Sequence, residues 1–521
     1  MLRKLPILLA FMLLCAVPVL AQDDDVFSLT IMHTNDVHAT YDPDRDDRGG
    51  TARQATVVQQ VRAEAEHTLL LDSGDRFTGS MFHAYYQGED SARVMNYLGY
   101  DGMVLGSYEF THGPVVLANF VTMLDFPAVV ANVDFSQSDE LADRVGAYHV
   151  YDFDGEQVGV VGVTQGDSRI RPIPELVFDT DYVGVVQAAV DELAAMGVNK
   201  VVLLSHLGYF TDLSLATQLD GVDVIVGGDS NTLLSNEMDE AEGPYPAVME
   251  SASGDPVLIV QAWERGRVLG RLDVSFDAAG VLLNWDGDAV LLDGNIEPDA
   301  DAAALIEELR EPLPDFLNQV VGETETDLDG ERESCRAVEC NMGDLVTDAL
   351  RVASEAQVAL HNGGAIRSSI ATGEITVGDI LAVLPFNNTL VIFELSGADL
   401  ITALENSVSR VGAAEGNGRF LQVSGLRFSW DGSQAVGRRI VNVEVLNERG
   451  EYETLDPDEV YTVAANDYLL AGGDDYDVFA EKGSDPYDFG RTLDEIVRNY
   501  VAENSPVSLP ISEGRITRID R

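Results

Sequence analysis

The feature that most narrows the fold is a pattern repeated five times before residue 232: a short apolar run that stops at polar residues able to hold a metal or a substrate. The run Ser28-Leu29-Thr30-Ile31 breaks at Asp36 and His38. Leu69 to Leu71 leads to Asp72 and Asp75, and Met103 to Leu105 leads to Ser107, Tyr108 and Glu109. Val201 to Leu204 leads to His206, and Val222 to Val226 leads to Asp229 and Asn231. Runs of this length and composition read as strands of buried sheets covered by helices, an α/β fold. Open α/β sheets present their ligands beyond the carboxyl ends of such strands. Asp36 and His38, two apart on extended backbone, point the same way and can reach one cation. A single terminus of this kind is more often a turn or a helix cap, but all five are expected to converge on one cluster.

Around these runs the pattern predicts helices over Thr51–Glu66, Ser91–Leu98 and Tyr182–Met196, and a strand over Gln157–Val163. Val257–Gln261 and Val268–Val274 are expected to form a closing β pair. Asp42, Asp44, Asp46 and Asp47 read as a solvated acidic loop, because the later Gly and Glu of an EF-hand are missing. A chain of 521 residues exceeds one ordinary core, so two domains are expected. They span 26–296 and 320–521, joined by an acidic, Ala-rich linking helix over 297–319. In the second domain Asn341 is placed to cap a helix ending near Ala356, with Asp344 in its first turn. The strand Gln357–Leu360 then feeds Asn362-Gly363-Gly364-Ala365-Ile366-Arg367, whose glycines allow close approach to a ligand and whose arginine supplies charge.

Residues 1–21 combine Arg3 and Lys4 with an apolar run from Leu5 to Leu14 and end at Ala21, the pattern of a secretory signal peptide. Cys15 follows Leu14, too large a residue for a good lipoprotein signal. No later run is long enough to span a bilayer, so a secreted, periplasmic or extracellular protein without stable membrane insertion is expected. In such a compartment a local disulfide is the leading reading of Cys335 and Cys340; a zinc site would need two more soft ligands nearby. The net charge of −57 repels polymeric nucleic acid, so an anionic small substrate needs locally placed arginine or metal. No sequence feature fixes an oligomeric state.

The second half carries Cys335-Arg336-Ala337-Val338-Glu339-Cys340-Asn341-Met342-Gly343-Asp344, Leu384-Pro385-Phe386 and Gly472-Gly473-Asp474-Asp475-Tyr476, besides the Asn362–Arg367 run. With the strand ends of the first half, these motifs resemble the secreted 5'-nucleotidase family over nearly all of the chain after the leader. The resemblance implies an N-terminal four-layer αββα calcineurin-like metallophosphoesterase sandwich and a separate α+β C-terminal nucleotide-binding domain. It implies two divalent cations, Zn, Mn or Co. Asp36, His38, Asp75 and Asn231 match the ligands of the first. For the second, Asp75 and His206 match, whereas Ser107 stands where Asn is expected and Asp229 where His is expected. Tyr108 occupies the position of the catalytic His, with Glu109 beside it. The second cation is therefore expected to be weakly held or absent.

On the substrate side Arg336 and Arg367 match arginines that contact oxyanions, and Asn362 matches a base- or ribose-contacting position. Phe386 and Tyr476 are taken as the two aromatics that sandwich the base. The expected function is metal-dependent hydrolysis of nucleoside 5'-monophosphates or related nucleotides, with Asp75, Tyr108 and Glu109 at the reacting centre. The alternatives are a catalytically impaired, exported nucleotide-binding protein, or a phosphodiesterase or UDP-sugar hydrolase acting on related nucleotides. A tyrosine lacks histidine's near-neutral pKa, which weakens its case as a general acid.

Overall fold

The structure, a computed structural model, describes residues 26–142, 144–166, 176–386, 388–411, 417–447 and 449–520. The signal peptide expected over 1–21 lies outside the described residues. The strand Phe27–Thr34 is buried along nearly its whole length, as a strand covered on both faces must be. It runs parallel to Thr68–Asp72, which is followed by Gly102–Val104 and Ala128–Val129 in parallel order. On its other side it pairs antiparallel with Val268–Phe276, and that strand with Leu282–Leu291. A second six-stranded sheet is built around Val201–His206, parallel to Glu156–Thr164 and Val224–Gly227. Ile31, Leu71 and Val104 of the first sheet share one hydrophobic core with Val161, Leu203 and Val226 of the second.

The expected closing β pair does not form. Pro256–Val260 joins the second sheet beside Val224–Gly227, whereas Val268–Phe276 joins the first beside Phe27–Thr34. Both runs are apolar, and apolar pattern identifies a buried strand without choosing its neighbour. The segment between them crosses from one sheet to the other, and it passes the cluster described below.

The linking segment also differs from expectation. It forms two helices, Ala300–Arg310 and Leu313–Leu317, with Pro312 and Pro314 at the break. Ala302, Ile306, Leu309 and Leu313 pack into the core of the first domain, and further on the Gln319 carbonyl accepts from Val377 N–H of the second at 2.9 Å.

The C-terminal domain is separable, with a five-stranded sheet, a four-stranded sheet and cores of its own. Its helix Asn341–Ser354 starts at Cys340, and Asn341 does not cap it. The Asn341 amide instead accepts from the Asp329 N–H at 2.7 Å and donates to the Asp327 carbonyl at 2.9 Å, pinning the preceding loop. Chain proximity favoured the cap, but the unpaired groups of the 327–329 loop claimed the side chain.

Candidate functional site

Because the central strands of both sheets run parallel, their carboxyl ends lie on one edge. Oxygens of Asp36 and Asp75 and a ring nitrogen of His206 come within 4.8 Å of one another there, all three residues buried. Asp36, His38, Asp75, Asp229 and Asn231 all have left-handed backbone, with φ between 50° and 73°. Asp and Asn tolerate that conformation better than most residues, but it remains costly and is typical of sites where function sets the geometry.

Backbone bonds lock these loops together. Asp36 N–H donates to the Gly74 carbonyl and His38 N–H to the Asp75 carbonyl, each at 3.0 Å. Gly74 has φ +90°, and a Cβ there would sit 2.6 Å from Gly106 N and 2.9 Å from His206 Nδ1; only glycine permits the strand ends to close up. The buried Arg76 guanidinium donates to Asp72 at 2.6 Å and to the Thr34 hydroxyl at 2.9 Å, tying the first two strand ends.

The imidazole of His206 is oriented for a cation. Its Nδ1 lies 2.6 Å from the Ser73 carbonyl, which fixes Nδ1 as the donor. Nε2 then faces Asp75 at 3.2 Å and Asp229 at 3.9 Å. Burial opposes its protonation, yet the charges of Asp75, Asp36 and Asp229 together hold it well above its ordinary pKa. Burial likewise pushes the Asp36 carboxyl up, and the neighbouring Asp75 and Asp229 charges add to it. Desolvation also opposes the Asp75 charge, but His206 and His38 hold this carboxyl below the usual range. Carboxylates crowded around a single imidazole are the electrostatic outline of a divalent-ion site, and the donor set fits such an ion.

The remaining expected ligands flank this triad. His38 has Nδ1 3.2 Å from the Phe77 carbonyl, and its burial lowers its pKa. The Asp229 N–H donates to both Asp36 oxygens, at 3.0 and 3.2 Å. The Ser107 hydroxyl is 3.5 Å from both Asp75 oxygens, and Asn231 is exposed two residues beyond Asp229.

Tyr108 donates its backbone N–H to Asp75 at 2.9 Å and sets its ring 5.4 Å from that of His38. Its hydroxyl is turned to the C-terminal domain, 3.5 Å from Asp488.

Glu109 requires a correction. Its fully buried carboxylate accepts from four backbone N–H groups: Gly106 at 2.6 Å, Arg76 at 2.7 Å, and Asp75 and Phe77 at 3.0 Å. Burial and the Asp75 charge push it up to about 7. With both oxygens occupied it positions the Asp75 loop and does not meet a substrate. The sequence places an acid at a strand end but does not reveal which N–H groups turn toward it.

The C-terminal domain holds a cavity of about 480 Å³ lined by Arg336, Asn362, Arg367, Phe386, Tyr468 and Asp474, among others. The Arg367 guanidinium lies over the Phe386 ring at 5.5 Å, a cation–π contact. Asn362 donates to Asp474 at 2.8 Å and accepts from Asn466 at 3.0 Å, so its amide orientation is set. The disulfide Cys335–Cys340 is formed and carries Arg336 between its cysteines. Gln422 holds the same loop, donating to the Cys335 and Val338 carbonyls at 2.9 and 2.8 Å and accepting from Cys340 N–H at 3.1 Å. Gly363 abuts it so closely that a Cβ would lie 2.0 Å from the Cys335 carbonyl oxygen.

Tyr476 is not in this cavity. It is 0% exposed, stacks on Phe479 with ring centroids 4.9 Å apart, and donates its hydroxyl to the Arg419 carbonyl. Tyr468, 45% exposed, takes the wall with Phe386, which is 52% exposed. The left-handed residues Asp474 and Asp475 turn the chain so that the aromatic after them enters the core. Tyr468 follows the end of the strand Val460–Asn466, so the strand-end rule applied to the first domain would have pointed to it.

A mixed α/β fold with a buried Asp–Asp–His triad at the strand ends, joined to a separable second domain, is consistent with a metal-dependent phosphoesterase. Residues 320–481 match the profile of the 5'-nucleotidase C-terminal domain. The chain is 36% identical to 5'-nucleotidase of Bos taurus over 94% of its length and 90% of that protein's. It is 35% identical to the snake venom 5'-nucleotidase of Naja atra, covering 94% of this chain and 98% of that one. Among solved structures, the 5'-nucleotidase precursor of Thermus thermophilus shares 42% identity, covering 95% of this chain and 100% of its own, with a TM-score of 0.61. The chain belongs to the 5'-nucleotidase family.

Proposed function

We propose that the protein hydrolyses nucleoside 5'-monophosphates, or closely related nucleotides, to nucleoside and phosphate. The observation that carries this reading is the pairing of a buried Asp36–Asp75–His206 triad with a nucleotide-sized pocket bearing two arginines and two exposed aromatics. Asp36, His38, Asp75 and Asn231 would hold one divalent ion, and Asp75, His206, Asp229 and Ser107 a weaker second. Such ions, when bound, supply a nucleophilic water and neutralise charge on the phosphoryl oxygens.

The chain's own residues do the rest. Phe386 and Tyr468 would stack the base from two sides, Asp474 would accept hydrogen bonds from sugar hydroxyls, and Arg336 and Arg367 would pair with oxyanions. His206 and Asp75 stay fixed by the Ser73 carbonyl and the Tyr108 N–H, so little reorganisation is left for the reaction itself. We read the two sheets with their outer helices as the four-layer sandwich of this family. We place the domain boundary around the 297–319 segment. Export through the N-terminal leader belongs to the same reading, and relatives that include venom enzymes support it.

A reduced catalytic rate has its own support, because Tyr108 turns its hydroxyl toward Asp488. The deciding experiment is phosphate release from AMP by purified protein supplied with Mn²⁺, Co²⁺ or Zn²⁺, beside an Asp75→Asn control. Release that vanishes in the control supports hydrolysis at this centre. No release with any ion would favour a nucleotide-binding role.

A further inference from the structure

Between the two domains lies a second, smaller cavity, of about 140 Å³, which the proposed hydrolysis does not use. His83 and His112 face it from the first domain, and Thr492, Asp494, Glu495 and Arg498 from the second. His83 is 5% exposed, and neither ring nitrogen has a hydrogen-bond partner. The Arg498 Nε–H is buried and unpartnered as well. Leaving such groups unsatisfied is costly, which favours an occupant that hydrogen-bonds.

The chemistry of that occupant follows from what is already paired. Asp494 accepts from Arg498 at 3.1 Å. Glu495 accepts from Arg491 at 2.9 Å and lies 3.4 Å from His112 Nε2. Both carboxylates are thereby paired, which leaves the Arg498 Nε–H as a donor and the His83 ring, which burial keeps neutral with its pKa lowered to about 3, as one donor and one acceptor. The helix Leu493–Asn504 begins at this cavity; its N-cap Thr492 makes no side-chain capping bond, and Asp494 and Glu495 in its first turn lie at the positive end of its dipole. The volume is well under the roughly 300 Å³ at which pockets for larger ligands begin, which leaves out a nucleotide.

We propose that the interdomain cavity around His83 and Arg498 binds a small tetrahedral oxyanion of the size of inorganic phosphate, which bridges the two domains. The site is distinct from the metal centre and from the nucleotide pocket, and its existence does not depend on the protein being an active hydrolase. Should the protein release phosphate, its own product would be a candidate occupant.

The test is calorimetric titration of inorganic phosphate, with sulfate as a second oxyanion, into the full chain carrying Asp75→Asn to disable the metal centre. Saturable binding of one oxyanion per chain is expected, unaffected by excess AMP. Adding His83→Leu is expected to weaken it about 10–100-fold, the range for losing a charge-assisted hydrogen bond. Arg498→Gln should act in the same direction and serves if His83→Leu does not fold. No saturable binding to the Asp75→Asn protein would overturn the proposal, as would full displacement by AMP. Unchanged affinity in a folded His83→Leu protein, or in Arg498→Gln where that variant stands in for it, would do so too.

Discussion

Tyr108 and Asp488 meet across the domain boundary. The tyrosine hydroxyl is 3.5 Å from a carboxylate oxygen that also accepts the Thr389 hydroxyl at 2.7 Å. Burial and the charges of Asp488 and Asp75 raise the Tyr108 pKa well above its ordinary value. At neutral pH it is therefore a weak proton donor beside the metal triad. Tyr108→His should raise the rate of phosphate release from AMP by about a hundredfold or more, the worth of one placed transition-state donor. Stopped-flow or steady-state kcat, with metal content measured in parallel, checks this.

Removing a ligand from the triad should have the opposite effect. His206→Ala takes away the imidazole that faces Asp75 and Asp229. Metal affinity is expected to fall by more than the roughly 10–100-fold lost when an outer-shell partner is removed. Metal content after dialysis, read by atomic absorption, decides it.

The two tyrosines near the glycine-rich loop should separate cleanly. Tyr468→Ala is expected to weaken AMP binding by about 1–3 kcal/mol, the value of one base-stacking contact. Tyr476→Phe should leave binding unchanged and lower stability by about 1 kcal/mol through the lost bond to the Arg419 carbonyl. Binding isotherms and urea unfolding on both variants provide the comparison.

Asp344 predicts a pH dependence. Burial pushes its carboxyl up to about 8 despite Arg515, whose Nε is 3.5 Å away, and neither oxygen has a hydrogen-bond partner. Its folded value lies above an unfolded value of about 3.9, so the native state holds the proton more tightly. The stability this confers is complete in acid and is lost as pH rises from about 4 through about 8. Asp344→Asn should remove that loss, so its stability relative to wild type should grow by at least about 1.4 kcal/mol between about pH 5 and pH 8. Chemical denaturation at the two pH values measures the difference.

The net charge of −57 predicts salt dependence of another kind. Raising ionic strength from 0.1 M to 1 M shortens the screening length from about 10 Å to about 3 Å, which relieves self-repulsion in the compact state. The thermal unfolding midpoint should climb over that range of KCl.

What the residues disclosed in advance was where strands end and what they carry. Asp36, Asp75 and His206 were legible because a buried strand has to stop, and polar side chains at that point stand out against Val, Ile and Leu. Sheet membership was hidden, since Val257 and Val268 look alike and differ only in which neighbour is free. The work of Glu109 was hidden for a related reason: four N–H groups from two loops converge on it only after the chain has folded. Tyr468 and Tyr476 show the limit at its narrowest, since two left-handed aspartates decide which ring faces the cavity.

The Gln422 amide grips the Cys335–Cys340 loop at three backbone points, and that grip is indifferent to oxidation. The perch of Arg336 is thus fastened twice, by a bond that a thiol can cut and by one that it cannot. Reduction alone should therefore loosen the arginine without casting it adrift, and the proposed nucleotide recognition should outlast the sulfur bridge as long as that one glutamine stays in place.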